Sequence, residues 1–166
     1  EVDNSYLAAY DISDPTDIQF LDKIQTNPGS NSVVHNTHIL ENYAVTSWYT
    51  DGVSIVDVTE PDNLVQVGNF DVAPTFEGGG FDGCWGVYPF LPSGTIVAST
   101  IPTTSSSGGG ELWVLTPTYT RACYLEGLIT DAATSLPLNG ALIEIMSGDN
   151  TAPAESGLDG VYKTGQ

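Results

Sequence analysis

The sequence predicts an all-β fold, and three features support it: the composition, an internal repeat and regularly spaced turn signals. The chain contains 18 Gly and 10 Pro together with many Thr, Ser and Val residues. This mixture suits short strands that are joined by tight turns, and it gives helices little support. Hydrophobic residues make up 40% of the chain, which is enough to build packed cores.

The repeat has a period of 46 residues. Residues 7–15 read LAAYDISDP and residues 53–61 read VSIVDVTEP, so that Asp11 matches Asp57 and Pro15 matches Pro61. The agreement in residue class extends as far as the match of Pro28 with Pro74. A third, weaker copy begins at Leu112, which the sequence pattern aligns with Ile55. Repeats of this length indicate an architecture that is built from stacked copies of one unit.

Each copy has the same plan. A short hydrophobic strand ends in an Asp-containing turn that is closed by Pro, and a second strand follows, as in residues 64–70. Asp51-Gly52 joins a strand at residues 43–49 to the strand that starts at Val53, which is a strong hairpin signal. Four strands in about 45 residues are typical of a propeller blade. We therefore expect residues 1–120 to form a partial β-propeller of about two and a half four-stranded blades.

Residues 121–166 have a different sequence pattern and do not continue the repeat. The segments 124–132, 137–145 and 157–162 each combine a strand pattern with a turn signal, and this spacing resembles an antiparallel sandwich. We expect this segment to contain the first strands of a small β-sandwich.

These segments resemble known families. The Asp11 and Asp57 repeats look like LVIVD-type repeats, and the runs HNTH at 35–38 and GCWGVYPF at 83–90 are similar to the propeller of choice-of-anchor B surface proteins. From about Ala122 the chain resembles a carboxypeptidase-regulatory-like domain, a prealbumin-like sandwich without a peptidase site. The resemblance implies a secreted or cell-surface bacterial protein, with an anchor or sorting domain downstream.

The charge of the chain restricts its partners. Only Lys23, Arg121 and Lys163 are basic against 21 acidic residues, which gives a formal net charge of −18. Such a surface repels nucleic acids and anionic lipids. It could recruit Ca²⁺, for which the acidic turns Asp11–Asp14 and Asp57–Glu60 are the candidates, and the alternative is a solvated acidic surface. No stretch is long and apolar enough for insertion into a membrane.

His35 and His38 are the two histidines and candidate ligands of a metal ion. In a regular strand, positions three apart face opposite sides, so both would bind one ion only from a loop. The alternative is a structural role with hydrogen bonds across the sheet. A metal-dependent hydrolase is the corresponding enzyme hypothesis. The Ser-rich run at 105–107 predicts a flexible loop rather than a nucleophile, and the sequence predicts no catalytic residue.

Aromatic residues provide the candidate binding surface. They would form a platform for a glycan or another protein, unless they pack between blades: Trp48, Tyr49, Trp85, Tyr88 and Phe90.

The chain has two cysteines. Cys84 and Cys123 either form a disulfide or remain separate thiols, one of them buried.

The function that we expect is therefore a non-enzymatic, extracellular or cell-surface binding and scaffold protein, without a cofactor, that presents propeller loops to a protein or glycan. An alternative is a subunit of a homo-oligomer or filament that is completed by strands from another chain.

Overall fold

The computed structural model describes residues 5–101, 109–146 and 153–166, and within these ranges it contains thirteen strands and no helix. The expected all-β class is therefore confirmed. The chain divides into two compact units, Glu1–Thr120 and Arg121–Gln166. The Ser-rich run at 105–107, for which the sequence predicts a loop, lies outside the described residues.

The described residues of the first unit form three antiparallel sheets. The first sheet pairs β1 (Leu7–Asp11) with β2 (Gln19–Ile24). The second sheet consists of β3 (Val34–Leu40), β4 (Tyr43–Trp48), β5 (Gly52–Asp57) and β6 (Val65–Phe70), in that order. The third sheet contains β7 (Gly83–Tyr88), β8 (Ile96–Ile101) and β9 (Leu112–Leu115). In each sheet every strand pairs with its neighbour in the chain.

The 46-residue repeat has the same structure in both copies. In the first sheet Leu7 lies opposite Ile24, and in the second sheet Val53 lies opposite Phe70. Both pairings contain a β-bulge at the same place, between Ala9 and Tyr10 in one copy and between Ile55 and Val56 in the other. The two segments therefore share strand register as well as sequence.

The turns that follow these strands are also alike. Asp11 accepts a hydrogen bond at Oδ1 from the Ser13 N–H (2.8 Å), and Asp57 accepts the equivalent bond from Thr59 (2.9 Å). These bonds explain why the turn begins with Asp, because its short side chain caps the backbone two residues ahead. The backbone hydrogen bond from Ser13, with a further one from its side chain, lowers the pKa of Asp11.

The third copy of the repeat is aligned differently from the sequence-based prediction. Ser47 and Ser99 occupy the same place beside a bulge, and they pair with Val53 and Leu112 respectively. Leu112 therefore corresponds to Val53 and not to Ile55. Because side chains alternate with a period of two, a slip of two residues keeps every residue on its predicted face. The hydrophobic pattern alone could not detect this error.

The second sheet is buried on both faces. Val45, Val53 and Ile55 pack towards the third sheet, in a cluster with Val72, Cys84, Val87, Ile96 and Ala98. On the opposite face Ala44, Val56 and Leu64 pack against Leu7, Ala9 and Ile24 of the first sheet and its flanks. This double coverage explains why all six residues of β5 are buried.

The second unit contains two two-stranded sheets within its described residues. They pair β10 (Tyr124–Leu128) with β13 (Val161–Gly165), and β11 (Leu142–Ile143) with β12 (Ala154–Glu155). The strand predicted within segment 137–145 is only two residues long. Nearby, the buried Ser156 hydroxyl donates to the Leu138 carbonyl (2.6 Å) and accepts from the Ala141 N–H (3.0 Å), which ties this segment together.

Gly83 allows the backbone of the third sheet to come close to that of the second sheet. Gly83 has a φ of 96°, and a Cβ atom there would overlap the carbonyl oxygen of Tyr49, to which the Cys84 N–H donates (2.7 Å). Gly94 also has a positive φ (75°), but its surroundings are open.

We expect Gly94→Ala to reduce the free energy of unfolding by about 1 kcal/mol, from backbone strain alone. Gly83→Ala should reduce it by about 3 kcal/mol or more, because the added Cβ also overlaps the Tyr49 carbonyl oxygen. Urea unfolding of both variants measures the difference, and equal losses would contradict the close contact.

Candidate binding surface

The first strands of the second and third sheets carry a row of ring-containing side chains, which we name the aromatic strip. It lies along β3 and β7 and includes residues of the adjoining loops. Two of its members lie at β-bulges that occupy the same position in the two sheets: His35 between Val34 and Thr37, and Trp85 between Cys84 and Gly86. Bulges commonly redirect a side chain next to functional sites. The members of the strip are His35, His38, Tyr49, Phe81, Trp85, Tyr88 and Phe90.

Three side chains hold the backbone at Trp85. The Trp85 carbonyl oxygen lies 2.5 Å from His35 Nδ1, and it accepts weaker contacts from Ser47 Oγ (3.3 Å) and Asn36 Nδ2 (3.4 Å). Because a carbonyl oxygen only accepts, Nδ1 of His35 must carry a proton. In the neutral ring, Nε2 is then the acceptor. This network holds the backbone of the bulge, and the indole itself packs against the His35 ring.

The rings form two contiguous groups. His35 lies between Tyr49 and Trp85, with ring centroids 5.1 and 5.3 Å away, and Phe81 extends this group from Tyr49 at 5.3 Å. In the second group Phe90 lies 5.6 Å from His38 and 5.4 Å from Tyr88. These distances are in the range for favourable aromatic contacts.

Part of the strip faces solvent. Phe81, Trp85, Tyr88 and Phe90 are between 43% and 54% exposed. His35 is also exposed. None of the three Lys and Arg residues of the chain belongs to the strip. The surface therefore combines flat apolar rings with a hydrogen-bonding imidazole.

Trp48 and Tyr49, two of the candidates from the sequence, are buried in the structure. The indole N–H of Trp48 donates to Ser54 Oγ at 2.8 Å, inside the second sheet. Trp48 is therefore a core residue, and Tyr49 supports the exposed rings from below. Phe81 was not predicted; its only signal is its place in the Gly-rich segment 78–83, where Gly78, Gly80 and Gly83 have positive φ.

The metal candidates lie apart. Asp57 is at the end of the second sheet where it pairs with Tyr43, whereas His35 is near the opposite end, beside the Val34–Trp48 pair. Asp57 is buried and caps its own turn, and Glu60 is exposed in that turn. His35 and His38 contact different groups of rings. The residues that the structure describes contain no cluster of three or more His, Cys, Asp or Glu side chains that could hold a metal ion.

Both cysteines are free thiols in the structure. Cys84 is completely buried in the core between the second and third sheets, and Cys123 is exposed in the second unit. Burial, together with the negative charge of Asp71, raises the pKa of Cys84 to about 12. At neutral pH this sulfur is therefore an unreactive thiol.

Comparison with family models, curated proteins and solved structures found no match for this sequence. The described part of the chain also contains no helix with the length and apolar character that a membrane crossing requires.

The two tryptophans are expected to respond differently to substitution. Trp48→Phe leaves the buried Ser54 hydroxyl without its indole partner, and we expect it to reduce the free energy of unfolding by about 1–3 kcal/mol. Trp85→Phe retains an exposed ring, and we expect a change within about 0.5 kcal/mol. Urea denaturation of both variants provides the measurement. A larger loss for Trp85→Phe than for Trp48→Phe would contradict this assignment.

Proposed function

We propose that the first unit is part of a β-propeller and that the protein is a non-enzymatic, extracellular or cell-surface binding protein. The repeated register, with its bulge in the same place, supports the propeller. The sequential packing of the three sheets, each with an apolar face towards the next, also supports it. The extracellular location is inferred from the resemblance to surface proteins, as is an accessory sandwich in residues 121–166.

The ligand is bound, in this proposal, by the exposed rings of the aromatic strip. The observation that carries it is the arrangement around Trp85, whose indole is 47% exposed while its backbone carbonyl contacts three side chains. The indole also packs against the His35 ring, and a side chain that is already in contact with a neighbour loses less conformational freedom on binding. Large aromatic side chains also supply much of the binding energy at interfaces.

The chemistry of the strip favours a neutral glycan. The face of an aromatic ring carries partial negative charge, and it attracts the C–H groups of a sugar ring that lies flat on it. Nε2 of His35 would accept a hydrogen bond from a sugar hydroxyl. Without Lys or Arg in the strip, and with a net charge of −18, an anionic glycan would be repelled.

Removal of an exposed ring is expected to weaken sugar binding. We expect at least one neutral oligosaccharide among cellohexaose, xylohexaose and mannohexaose to bind the full chain in isothermal titration calorimetry. Trp85→Ala should then weaken binding about tenfold or more, and Tyr88→Ala should act in the same direction. Leu158→Ala, at an exposed residue of the second unit, is the control and should bind as the unmodified protein does.

Two results would contradict the proposed ligand. One is the absence of heat with all three oligosaccharides. The other is equal affinity of the Trp85→Ala variant and the unmodified protein. Capture of a purified extracellular protein by the unmodified chain, and not by Trp85→Ala, would replace the glycan by a protein ligand at the same strip.

A further inference from the structure

The two outer sheets of the first unit each have one uncovered apolar face. The second sheet lies between the other two, and its two faces are covered by different neighbours. We name the face directed towards the following sheet the forward face and the one directed towards the preceding sheet the backward face. In the third sheet the backward face is covered and the forward face is open. In the first sheet the forward face is covered and the backward face is open.

The open forward face of the third sheet is equivalent to a buried one. By strand register, Leu112 and Val114 occupy the places of Val53 and Ile55. Val53 and Ile55 are 2% and 8% exposed because the third sheet covers them, whereas Leu112 and Val114 are 71% and 65% exposed. Apolar side chains at the same places are therefore buried where a following sheet covers them, and exposed where no sheet does.

The open backward face of the first sheet has the same relation to the second sheet. Tyr10 and Ile18 stand 46 residues before Val56 and Leu64, which pack against the first sheet. Val56 and Leu64 are 1% and 8% exposed, whereas Tyr10 and Ile18 are 54% and 59% exposed. Phe20 enlarges this face through an edge-on contact with the ring of Tyr10, with centroids 5.6 Å apart. Exposed apolar patches of this kind mark surfaces for association.

We propose that copies of this chain associate head to tail, with the forward face of the third sheet of one copy against the backward face of the first sheet of the next. The same type of packing already occurs twice within the chain, from the first sheet to the second and from the second to the third. A second copy supplies a matching face, because its first sheet carries Tyr10 and Ile18 at the places of Val56 and Leu64. A contact between two different faces produces a ring or a filament.

Charge modulates this association. Each copy carries a formal charge of −18, so two copies repel one another at low ionic strength. Salt screens this repulsion over a distance of about 8–10 Å at 0.10–0.15 M. Because the contact faces themselves are apolar, we expect association to strengthen as the salt concentration rises.

The experiment is sedimentation velocity of the full chain over a range of concentrations, with two double variants. Leu112→Asp with Val114→Asp blocks the forward face, and Tyr10→Asp with Ile18→Asp blocks the backward face. The unmodified chain should gain mass with concentration, and each double variant alone should remain a monomer. An equimolar mixture of the two variants should form a dimer and nothing larger, because one intact face of each kind remains.

Controls separate association from folding and from ligand binding. Circular dichroism must show native β-structure for both double variants, and a variant that fails this test is replaced by the corresponding single substitution, Val114→Asp or Tyr10→Asp. Leu158→Asp should associate as the unmodified chain does, and so should Trp85→Ala, because this proposal does not depend on the glycan site. A monomeric unmodified chain at all concentrations and salt levels, or variants that fail to pair when mixed, would overturn the proposal.

Discussion

The packing of an apolar sheet face against the next sheet is the interaction on which the first unit depends. A two- to four-stranded sheet in which neighbouring strands pair consecutively has two faces and cannot cover either by itself. Val45, Val53 and Ile55 are buried only because the third sheet lies on them. Each such side chain contributes about 1.5–3 kcal/mol when it is fully buried. The second sheet, covered on both sides, is therefore the centre of this unit.

The candidate binding surface lies where the second and third sheets pack together. Where β3 meets β7, the bulges place His35 against Trp85, and Gly83 allows the backbone of β7 to approach Tyr49. The rings are consequently supported from one side and exposed on the other. This row of half-exposed rings is the surface to which the proposed ligand would bind.

The sequence was a good guide to strands and turns, because these depend on local patterns. The strand predicted at 64–70 appears as β6 (Val65–Phe70), and the Asp-containing turns follow from the capping ability of Asp11 and Asp57. Burial was harder to predict. Trp48 lies in an inner strand of its sheet and is buried, whereas Trp85 lies at a bulge in an edge strand and is exposed. A bulge depends on the partner strand, so one strand alone does not reveal it.

The shared bulged register of the two repeat copies can be measured directly by NMR. In antiparallel sheets, residue pairs that are not hydrogen-bonded to one another bring their α-protons close together across the strands. Cross-strand contacts between α-protons should show the same pattern in β1–β2 and β5–β6, with the register change after Ala9 in one copy and after Ile55 in the other. Patterns that differ by one residue between the copies, or a continuous ladder without the change, would contradict the stacked-repeat structure.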